Sequence, residues 1–261
     1  MGEPLLWHFP ISHYNEKVRW ALDWKRVPHR RQVLSASYLW RAWRATGRAT
    51  LPVLHLDGRA IGDSTAIIAA LEQRYPEPPL YPRDATLRRR ALELEDWFDE
   101  HLAPPLRLFV WHHTLPDTDA VGAALFTRPS PGRLRLLRVT APVARRLMRL
   151  DFHINDETAA EARKQVVAAM DRLESEVQPS GYLVGDRFSV ADLTAAALYT
   201  PLLAPPERPY LPATLPAPVR ELREELMARP GAEWIFEMYA RHRGSSAEIG
   251  TPVAAPAAAA A

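Results

Sequence analysis

The stretch from Thr50 to Ile68 constrains the fold of this chain more tightly than any other segment. It predicts a short strand, a tight turn at Asp57, a second short strand and a helix that begins beside Asp63. Proline has no backbone N–H, so Pro52 belongs at the start or the edge of a strand. We therefore expect an antiparallel hairpin that leads directly into a helix.

The same stretch offers two features that suit a small peptide ligand. If the Leu51-Pro52 bond is cis, the resulting tight turn leaves the N–H and C=O of Leu51 free to pair with another extended backbone. Free N–H groups at the start of the helix, at Asp63 and Ser64, attract a carboxylate. A backbone ledge and a carboxylate socket this close in sequence suit glutathione, although Asp63 and Ser64 are also ordinary helix-capping residues.

A pattern near the N-terminus agrees with this interpretation. Residues 12–22 read Ser-His-Tyr-Asn-Glu-Lys-Val-Arg-Trp-Ala-Leu, and the hairpin segments read Leu-Pro-Val-Leu and Asp-Ser-Thr-Ala-Ile. These segments resemble the glutathione site of bacterial, serine-type glutathione transferases, whose N-terminal pattern is Ser-Pro-Phe-x-x-Arg-Val-x-x-Ala-Leu. The resemblance places Ser12 on the catalytic serine and Lys17 on the basic position of that pattern.

The resemblance implies a role for each residue of the site. Ser12 would donate its hydroxyl proton to the thiol sulfur and so favour the thiolate, whereas the alternative is that Ser12 only caps a helix. Ser64 would hold the γ-glutamyl carboxylate, and Asp63 would face the ligand's ammonium. Leu51 and Pro52 would supply the backbone ledge.

The implied co-substrate is glutathione, with no metal, but one residue departs from the family pattern. Thr50 stands where the family often has a lysine for the ligand's glycine carboxylate, and Arg48 or Arg44 could replace it. Another low-molecular-weight thiol is therefore an alternative to glutathione as the co-substrate. Tyr14 is the rival to Ser12 as proton donor to sulfur.

A second substrate would bind where the helix after the domain linker faces the first domain. The candidates for this pocket are the aromatic and histidine side chains Tyr14, Phe109, Trp111 and His112. The histidines at 101, 112 and 113 do not predict a metal site, because adjacent histidines point to different sides of a helix. No second ligand cluster has a zinc-like spacing either.

The chain contains no cysteine, which excludes disulfides, thiolate metal sites and thiol–disulfide exchange. Its 47% hydrophobic and 25% charged residues are typical of a globular protein. A net charge of +2 argues against nucleic-acid binding. No apolar run approaches the ~20 residues of a membrane span and no signal peptide is evident, so we expect a cytoplasmic protein without stable membrane insertion.

The predicted elements follow the order β-α-β-α-β-β-α up to Tyr75, and only helical patterns follow. This order predicts a thioredoxin-like α/β domain in residues 1–76 and an all-α domain in residues 84–243, the two-domain fold of glutathione transferases. Four prolines at positions 76 to 82 predict a semi-rigid linker over residues 77–83. The Gly-, Ser-, Pro- and Ala-rich residues 244–261 predict a disordered tail.

The C-terminal half contains a second match to the family. Ser189 and Asp192 predict a capping box at the start of a buried helix over residues 190–203. Members of the family carry the same box at this place. We expect the box to nucleate folding, and we assign it no catalytic role.

An arginine-rich insertion is predicted at about residues 113–155. Within it, residues 120–150 contain seven arginines and no acidic residue, and Pro142 is expected to interrupt any helix. Three interpretations stay open for this segment: a basic lid that recruits an anionic substrate, an element that lies on a membrane surface, and a solvated helix face.

Together these features predict a glutathione transferase-like enzyme that activates a thiol for attack on an electrophilic small molecule. A glutathione-dependent isomerase or dehalogenase is an alternative with related chemistry. A non-catalytic member that binds a thiol or a protein partner is an alternative of a different class. The resemblance also implies a homodimer.

Overall fold

The N-terminal domain is a mixed sheet of four strands with helices packed on it. A computed structural model describes residues 2–34, 38–125, 131–208 and 215–250. The elements of this domain are β1 Leu5–His8, α1 His13–Trp24, β2 Arg30–Val33, α2 Tyr38–Thr46, β3 Val53–Leu56, β4 Arg59–Gly62 and α3 Ser64–Arg74. The strands lie in the order β2-β1-β3-β4, with β1 parallel to β2 and antiparallel to β3. The predicted thioredoxin-like α/β domain is thereby confirmed.

The hairpin predicted from Pro52 onward is present. β3 and β4 pair in antiparallel register, with Leu54 opposite Ile61. Leu54 also lies opposite Leu6 of β1, and neither leucine has exposed surface, so the centre of the sheet is apolar. Asp63 alone separates β4 from α3, which places the start of α3 beside the end of the hairpin.

In the C-terminal domain, all regular elements among the described residues are helices, as predicted. Its helices are α4 Ala85–His101, α5 Ala103–Thr114, α6 Thr118–Leu125, α7 Pro131–Asp151, α8 Asp156–Glu176, α9 Val190–Leu198, α10 Thr200–Leu203, α11 Ala217–Met227 and α12 Pro230–His242. α9 packs on α4 within this domain and on α1 across the domain boundary. One continuous cluster of buried apolar side chains therefore runs through both domains.

The predicted capping box fixes the start of α9. The backbone N–H and the hydroxyl of Ser189 both donate to Oδ2 of Asp192, each at 2.8 Å. The single helix predicted over residues 190–203 is wrong, because α9 ends at Leu198 and α10 begins at Thr200. Pro201 cannot donate to the carbonyl of Ala197, and the Thr200 hydroxyl donates to that carbonyl instead, at 2.7 Å.

The arginine-rich segment contains two helices, α6 and α7. Pro142 lies inside α7, so the expected helix interruption is wrong. Proline removes one backbone hydrogen bond, and here the residue is exposed, so water can hydrate the carbonyl left without a donor. Among the described helices, none is both long and apolar enough to cross a membrane.

The prediction of a disordered tail is wrong for residues 244–250. The N–H of Ala247 donates to Oδ1 of the buried Asp23 at 2.8 Å, and Ile249 donates to the carbonyl of His29, also at 2.8 Å. Glu248 forms a parallel bridge with His29 beside β2, the edge strand of the sheet. An edge strand has unpaired backbone groups, which explains why a short polar segment pairs there. Residues 251–261 lie outside the described part of the chain.

The side of helix α2 that carries its tryptophans is not its packed side. The described part of this helix is Tyr38–Thr46. Trp40 and Trp43 stack on each other at 5.6 Å and are 59% and 55% exposed, whereas Ala42 is the buried residue. The two tryptophans therefore lie on the exposed side of α2, and the small side chain of Ala42 lies on its packed side.

Candidate functional site

Ser12 occupies the N-cap position of α1, half-buried at the end of the loop that follows β1. Its Oγ accepts a hydrogen bond from the N–H of Asn15 at 3.4 Å. The hydroxyl proton has no acceptor among the described residues. The capping role uses a lone pair of Oγ and leaves the proton available, so the capping role and the proposed donation to sulfur are compatible.

Two buried arginines hold the loop before Ser12. Arg19 of α1 donates to the carbonyls of Phe9 and Pro10 at 3.2 and 3.0 Å. Arg208, which follows α10, donates to the carbonyl of Ile11 at 2.7 Å. Burial lowers the pKa of Arg208 to about 10, so its guanidinium stays charged near neutral pH. Both domains therefore position Ser12, and the sequence interpretation missed these two residues.

The turn at Leu51 and Pro52 has the geometry on which the predicted backbone ledge depends. The Leu51-Pro52 peptide bond is cis, and β3 begins at the next residue, Val53. Leu51 is half-buried and makes no backbone hydrogen bond with the described residues. Its N–H and C=O are therefore available to an extended ligand.

Asp63 and Ser64 form the start of α3. Oδ1 of Asp63 accepts hydrogen bonds from the N–H groups of Thr65 and Ala66 at 3.1 and 3.2 Å, and Oδ2 lies 3.2 Å from Nη1 of Arg48. Asp63 has a φ of +75°, which for a residue other than glycine costs about 1–3 kcal/mol and is typical of ligand-binding sites. Ser64 is buried at the first position of the helix.

A buried polar cluster ties α1, α3 and α4 together beneath these residues. Nζ of Lys17 lies 2.7 Å from Oε1 of Glu95, and it also contacts Oδ2 of Asp99 and the Thr65 hydroxyl. Burial by itself lowers the pKa of Lys17, but the carboxylates of Asp99 and Glu95 raise it above its ordinary value. The charged Lys17 therefore fixes the helix of Ser12 against the helix of Ser64.

Tyr14 faces the second domain. Its hydroxyl donates to the backbone carbonyl of Asp99 at 2.9 Å. Burial, followed by the charge of Asp99, raises the pKa of Tyr14 well above its ordinary value. The hydroxyl proton of Tyr14 is therefore engaged, whereas that of Ser12 is not.

The other three candidates for the second-substrate pocket lie on α5. Phe109 is 4% exposed and packs on His113, with the ring centroids 4.7 Å apart. Trp111 is half-buried in a small apolar cluster with Leu115, and Nε2 of His112 lies 3.3 Å from Oδ1 of Asp156. No hydrogen bond or ring contact among the described residues joins these three to Ser12 or Tyr14.

Arg107 is a candidate site residue that the sequence interpretation did not include. The His13 ring, which directly follows Ser12, stacks on Tyr14 at 4.6 Å and makes a hydrogen bond with the backbone of Ala103. Arg107 lies one helical turn beyond Ala103 on the same side of α5. Burial, followed by the positive charges of Arg107 and Arg208, lowers the pKa of His13 to about 3, so the ring is neutral near pH 7.

The guanidinium of Arg107 is half-buried without an ion pair. It lies 4.7 Å from the centre of the Phe152 ring and has no carboxylate partner among the described residues. The only sequence signal for it is one arginine inside the apolar run Leu106–Val110. No group of three or more metal-ligating side chains occurs among the described residues.

A thioredoxin-like domain followed by an all-helical domain is the two-domain architecture that glutathione transferases share. Residues 6–79 match the family model described as the glutathione S-transferase N-terminal domain. Residues 156–230 match the model described as the glutathione S-transferase C-terminal domain. The two segments together cover more than half of the chain, which belongs to the glutathione transferase superfamily.

Three relatives illustrate the range of similar proteins. The FtsZ-localized protein A of Caulobacter vibrioides is 28% identical over 206 residues, which are 75% of each chain. The β-etherase LigF of Sphingobium is 20% identical with a TM-score of 0.58, covering 90% of this chain and 99% of its own. A glutathione S-transferase of Methylobacterium radiotolerans, in complex with glutathione sulfonate, is 22% identical with a TM-score of 0.54, covering 96% and 99%. The two structural matches establish a shared fold.

Proposed function

We propose that this protein is a serine-type glutathione transferase that activates the thiol of glutathione for attack on an electrophilic small molecule. The observation that carries the proposal is the free hydroxyl proton of Ser12 at the N-terminus of α1. A thiol has a reference pKa of about 8.5, and lowering it by about 2 units stabilises the thiolate by about 2.7 kcal/mol. A hydroxyl donor and a helix N-terminus both act in that direction.

The neighbouring residues suit the rest of the tripeptide. The N–H and hydroxyl of Ser64 would bind the γ-glutamyl carboxylate, and Oδ2 of Asp63 would meet the ammonium in place of Arg48. Leu51 would pair with the cysteinyl backbone through its free N–H and C=O. Arg48, at the edge of the site, is then available to the glycine carboxylate. It would replace the lysine that the family often has at the position of Thr50.

At the electrophilic carbon the reaction forms one bond and breaks one bond, after the thiol has lost its proton. The thiol proton leaves to solvent, the thiolate sulfur forms a bond to the electrophilic carbon, and the leaving group departs with its electron pair. Ser12 keeps its own proton and donates it as a hydrogen bond to sulfur. Binding both reactants in one cleft supplies the rest of the rate.

The second substrate would bind between the start of α1 and the face of α5. We propose that Arg107 selects electrophiles that carry an anionic group, because its guanidinium lacks an ion pair. Trp111 lies one turn beyond Arg107 on α5 and would extend this wall. Tyr14 and His112 would border it, and Phe109 would support it from the core.

The test of this function is the Ser12→Ala variant. We expect turnover at pH 7 to fall by about 10- to 100-fold, and the pKa of the bound thiol, followed by thiolate absorbance, to rise toward about 8.5. Ser12→Thr keeps a hydroxyl and should retain both properties. The exposed Ser175→Ala variant is the matched control. Unchanged turnover in Ser12→Ala would contradict the proposal.

The identity of the thiol has its own test. Calorimetric titration with glutathione, mycothiol and coenzyme A separates the candidate co-substrates. We expect saturable binding that prefers glutathione and weakens in Ser64→Ala. Equal binding of all three thiols would contradict the assigned tripeptide site.

A second candidate function rests on the relative named FtsZ-localized protein A. In that case the chain is a non-catalytic member that binds a protein partner. Co-pelleting with purified FtsZ filaments, combined with thiol binding but no turnover of a panel of electrophiles, would favour this candidate over the enzyme.

The remaining assignments follow from the family. We propose a cytoplasmic homodimer with a division into residues 1–76, a linker at 77–83, and a helical domain at 84–243 that carries the insertion at about 113–155. Size-exclusion chromatography with light scattering tests the dimer.

A further inference from the structure

One helix presents an unpaired apolar face to solvent. Four aliphatic side chains of α7, at a spacing of four, four and three residues, lie on one side of the helix over about three turns. They are 61–73% exposed, although a soluble helix normally buries such a face. We call them the α7 apolar strip: Val139, Val143, Leu147 and Leu150.

Arginines border the α7 apolar strip. Arg138 pairs with Asp119, and Arg145 contacts the hydroxyl of Thr118. The other described arginine side chains of α7 are exposed and have no ion pair among the described residues; they are Arg135, Arg146 and Arg149. Residues 120–150 contain no Asp or Glu, and the positive charges of these three arginines have no carboxylate partner among the described residues.

The opposite side of α7 rests on a small support. Ala141 is buried, and Met148 packs on a cluster formed by Leu115, Val121 and Ile154. This cluster is separate from the main core of the two domains. The helix is therefore a convex ridge on the body of the protein, with its apolar strip facing outward.

The charges and the shape of this ridge indicate what kind of surface binds to it. Self-association of this face with a second copy of the chain would bring the same exposed arginines against each other, because residues 120–150 contain no Asp or Glu. A folded protein partner needs a groove that matches a convex helix, whereas a lipid surface deforms around one. We propose that α7 is a peripheral docking element for anionic phospholipid membranes, with the apolar strip at the acyl boundary and the arginines at the phosphates.

Vesicle flotation tests this proposal directly. We expect the full-length protein to float with vesicles of phosphatidylcholine and phosphatidylglycerol, and much less with vesicles of phosphatidylcholine alone. High salt should weaken the binding, because headgroup attraction is screened. The double variant Val143→Asp with Leu147→Asp should lower partitioning by about tenfold or more. Met227→Asp, at an exposed apolar residue of α11, is the matched control.

A second measurement reports the orientation of the helix. Because the chain has no cysteine, Leu147→Cys gives a single site for a polarity-sensitive fluorophore. Its emission should shift to the blue when anionic vesicles are added. The same fluorophore at Met227→Cys should show no shift.

Three results would overturn the proposal. They are equal binding of wild-type protein to neutral and anionic vesicles, wild-type binding by the double aspartate variant, and the absence of a blue shift at Leu147→Cys. Loss of FtsZ co-pelleting in the double variant, without any vesicle binding by the wild type, would assign the ridge to a protein partner instead. Circular dichroism of each variant confirms that it is folded. These readouts need no thiol, so they are independent of the proposed enzymatic function.

Discussion

The half-buried guanidinium of Arg107 has no ion pair among the described residues, and this makes it the candidate for selectivity in the proposed second-substrate site. Its neighbours are the ring of Phe152 and the neutral His13, neither of which supplies a negative charge. A half-buried cation of this kind is stabilised when a ligand brings an anion, and a hydrogen bond between charged groups contributes about 1.5–3 kcal/mol. If the proposed function is correct, the site should therefore prefer electrophiles that carry an anionic group.

The variant Arg107→Met measures this preference, because methionine keeps the apolar length and removes the charge. We expect kcat/KM for a carboxylated nitroaryl chloride to fall by about 10- to 100-fold, and kcat/KM for an uncharged analogue to stay nearly constant. Arg220→Met removes an exposed arginine of α11 and serves as the control. Equal losses with both substrates would show that Arg107 acts through structure alone.

How far the sequence predicts individual residues depends on the sequence separation of their contacts. Local capping patterns place Ser12, Asp63 and Ser64 at helix starts, and the structure shows them there. Arg208 anchors Ile11 across 197 positions, and no local pattern encodes such a contact. The left-handed backbone of Asp63 is also invisible in the sequence, because the residue there is not glycine.

At the scale of elements, α9 depends on a single carboxylate. Asp192 is buried and accepts three hydrogen bonds, two from Ser189 and one from the N–H of Leu183 at 2.7 Å. The sequence predicts the box because its spacing is local. The break before Thr200 is harder to predict, since Pro201 has no N–H for the carbonyl of Ala197 and the Thr200 hydroxyl donates to that carbonyl instead.

Asp192→Ala leaves those buried donors without an acceptor. We expect the free energy of unfolding to fall by about 2–4 kcal/mol, measured by urea denaturation with intrinsic tryptophan fluorescence. Asp186→Ala removes an exposed carboxylate six residues earlier and should change stability by less than about 0.5 kcal/mol. A similar loss in both variants would argue against a special role for the box.

At the scale of the whole molecule, buried ion pairs join the C-terminal end of the chain to the first domain. Arg243 pairs with Glu16 at 2.8 Å and with Asp23 at 2.7 Å, and all three side chains are almost fully buried. Burial by itself raises the pKa of Glu16, but the guanidinium groups of Arg243 and Arg19 outweigh it and lower the pKa to about 2. The domain order and the elements could be predicted from periodicity. The ion pair between Arg243 and Glu16 could not be predicted in this way, because it joins residues 227 positions apart.

The pairing of Glu16 predicts acid sensitivity. A carboxyl group whose pKa is lower in the folded state stabilises the fold at any pH above its pKa in the unfolded chain, which is 4.5 for Glu16. This stabilisation is lost as the pH falls from 4.5 toward about 2. The loss amounts to about 3 kcal/mol. Urea denaturation over this pH range measures it. Glu16→Gln should flatten the dependence, and an unchanged slope in that variant would contradict the assignment.

Asp192 contributes to the same curve with the opposite sign. Burial raises its pKa to about 6, so the folded state holds a proton that the unfolded state has released. Its contribution therefore weakens the fold as the pH rises from about 4 to about 6. Comparing the pH dependence of stability in Glu16→Gln and in wild type separates the contribution of Glu16 from that of Asp192.

The two arginines that hold the loop before Ser12 make the position of the Ser12 hydroxyl depend on both folding units. Arg19 belongs to the first domain, but Arg208 belongs to the second and holds the carbonyl next to Ser12. A small rotation between the units would move that carbonyl and reorient the hydroxyl of Ser12. Under the proposed function, the angle between the domains would then change the acidity of the bound thiol. The first domain produced alone would carry Ser12 without one of its two anchors.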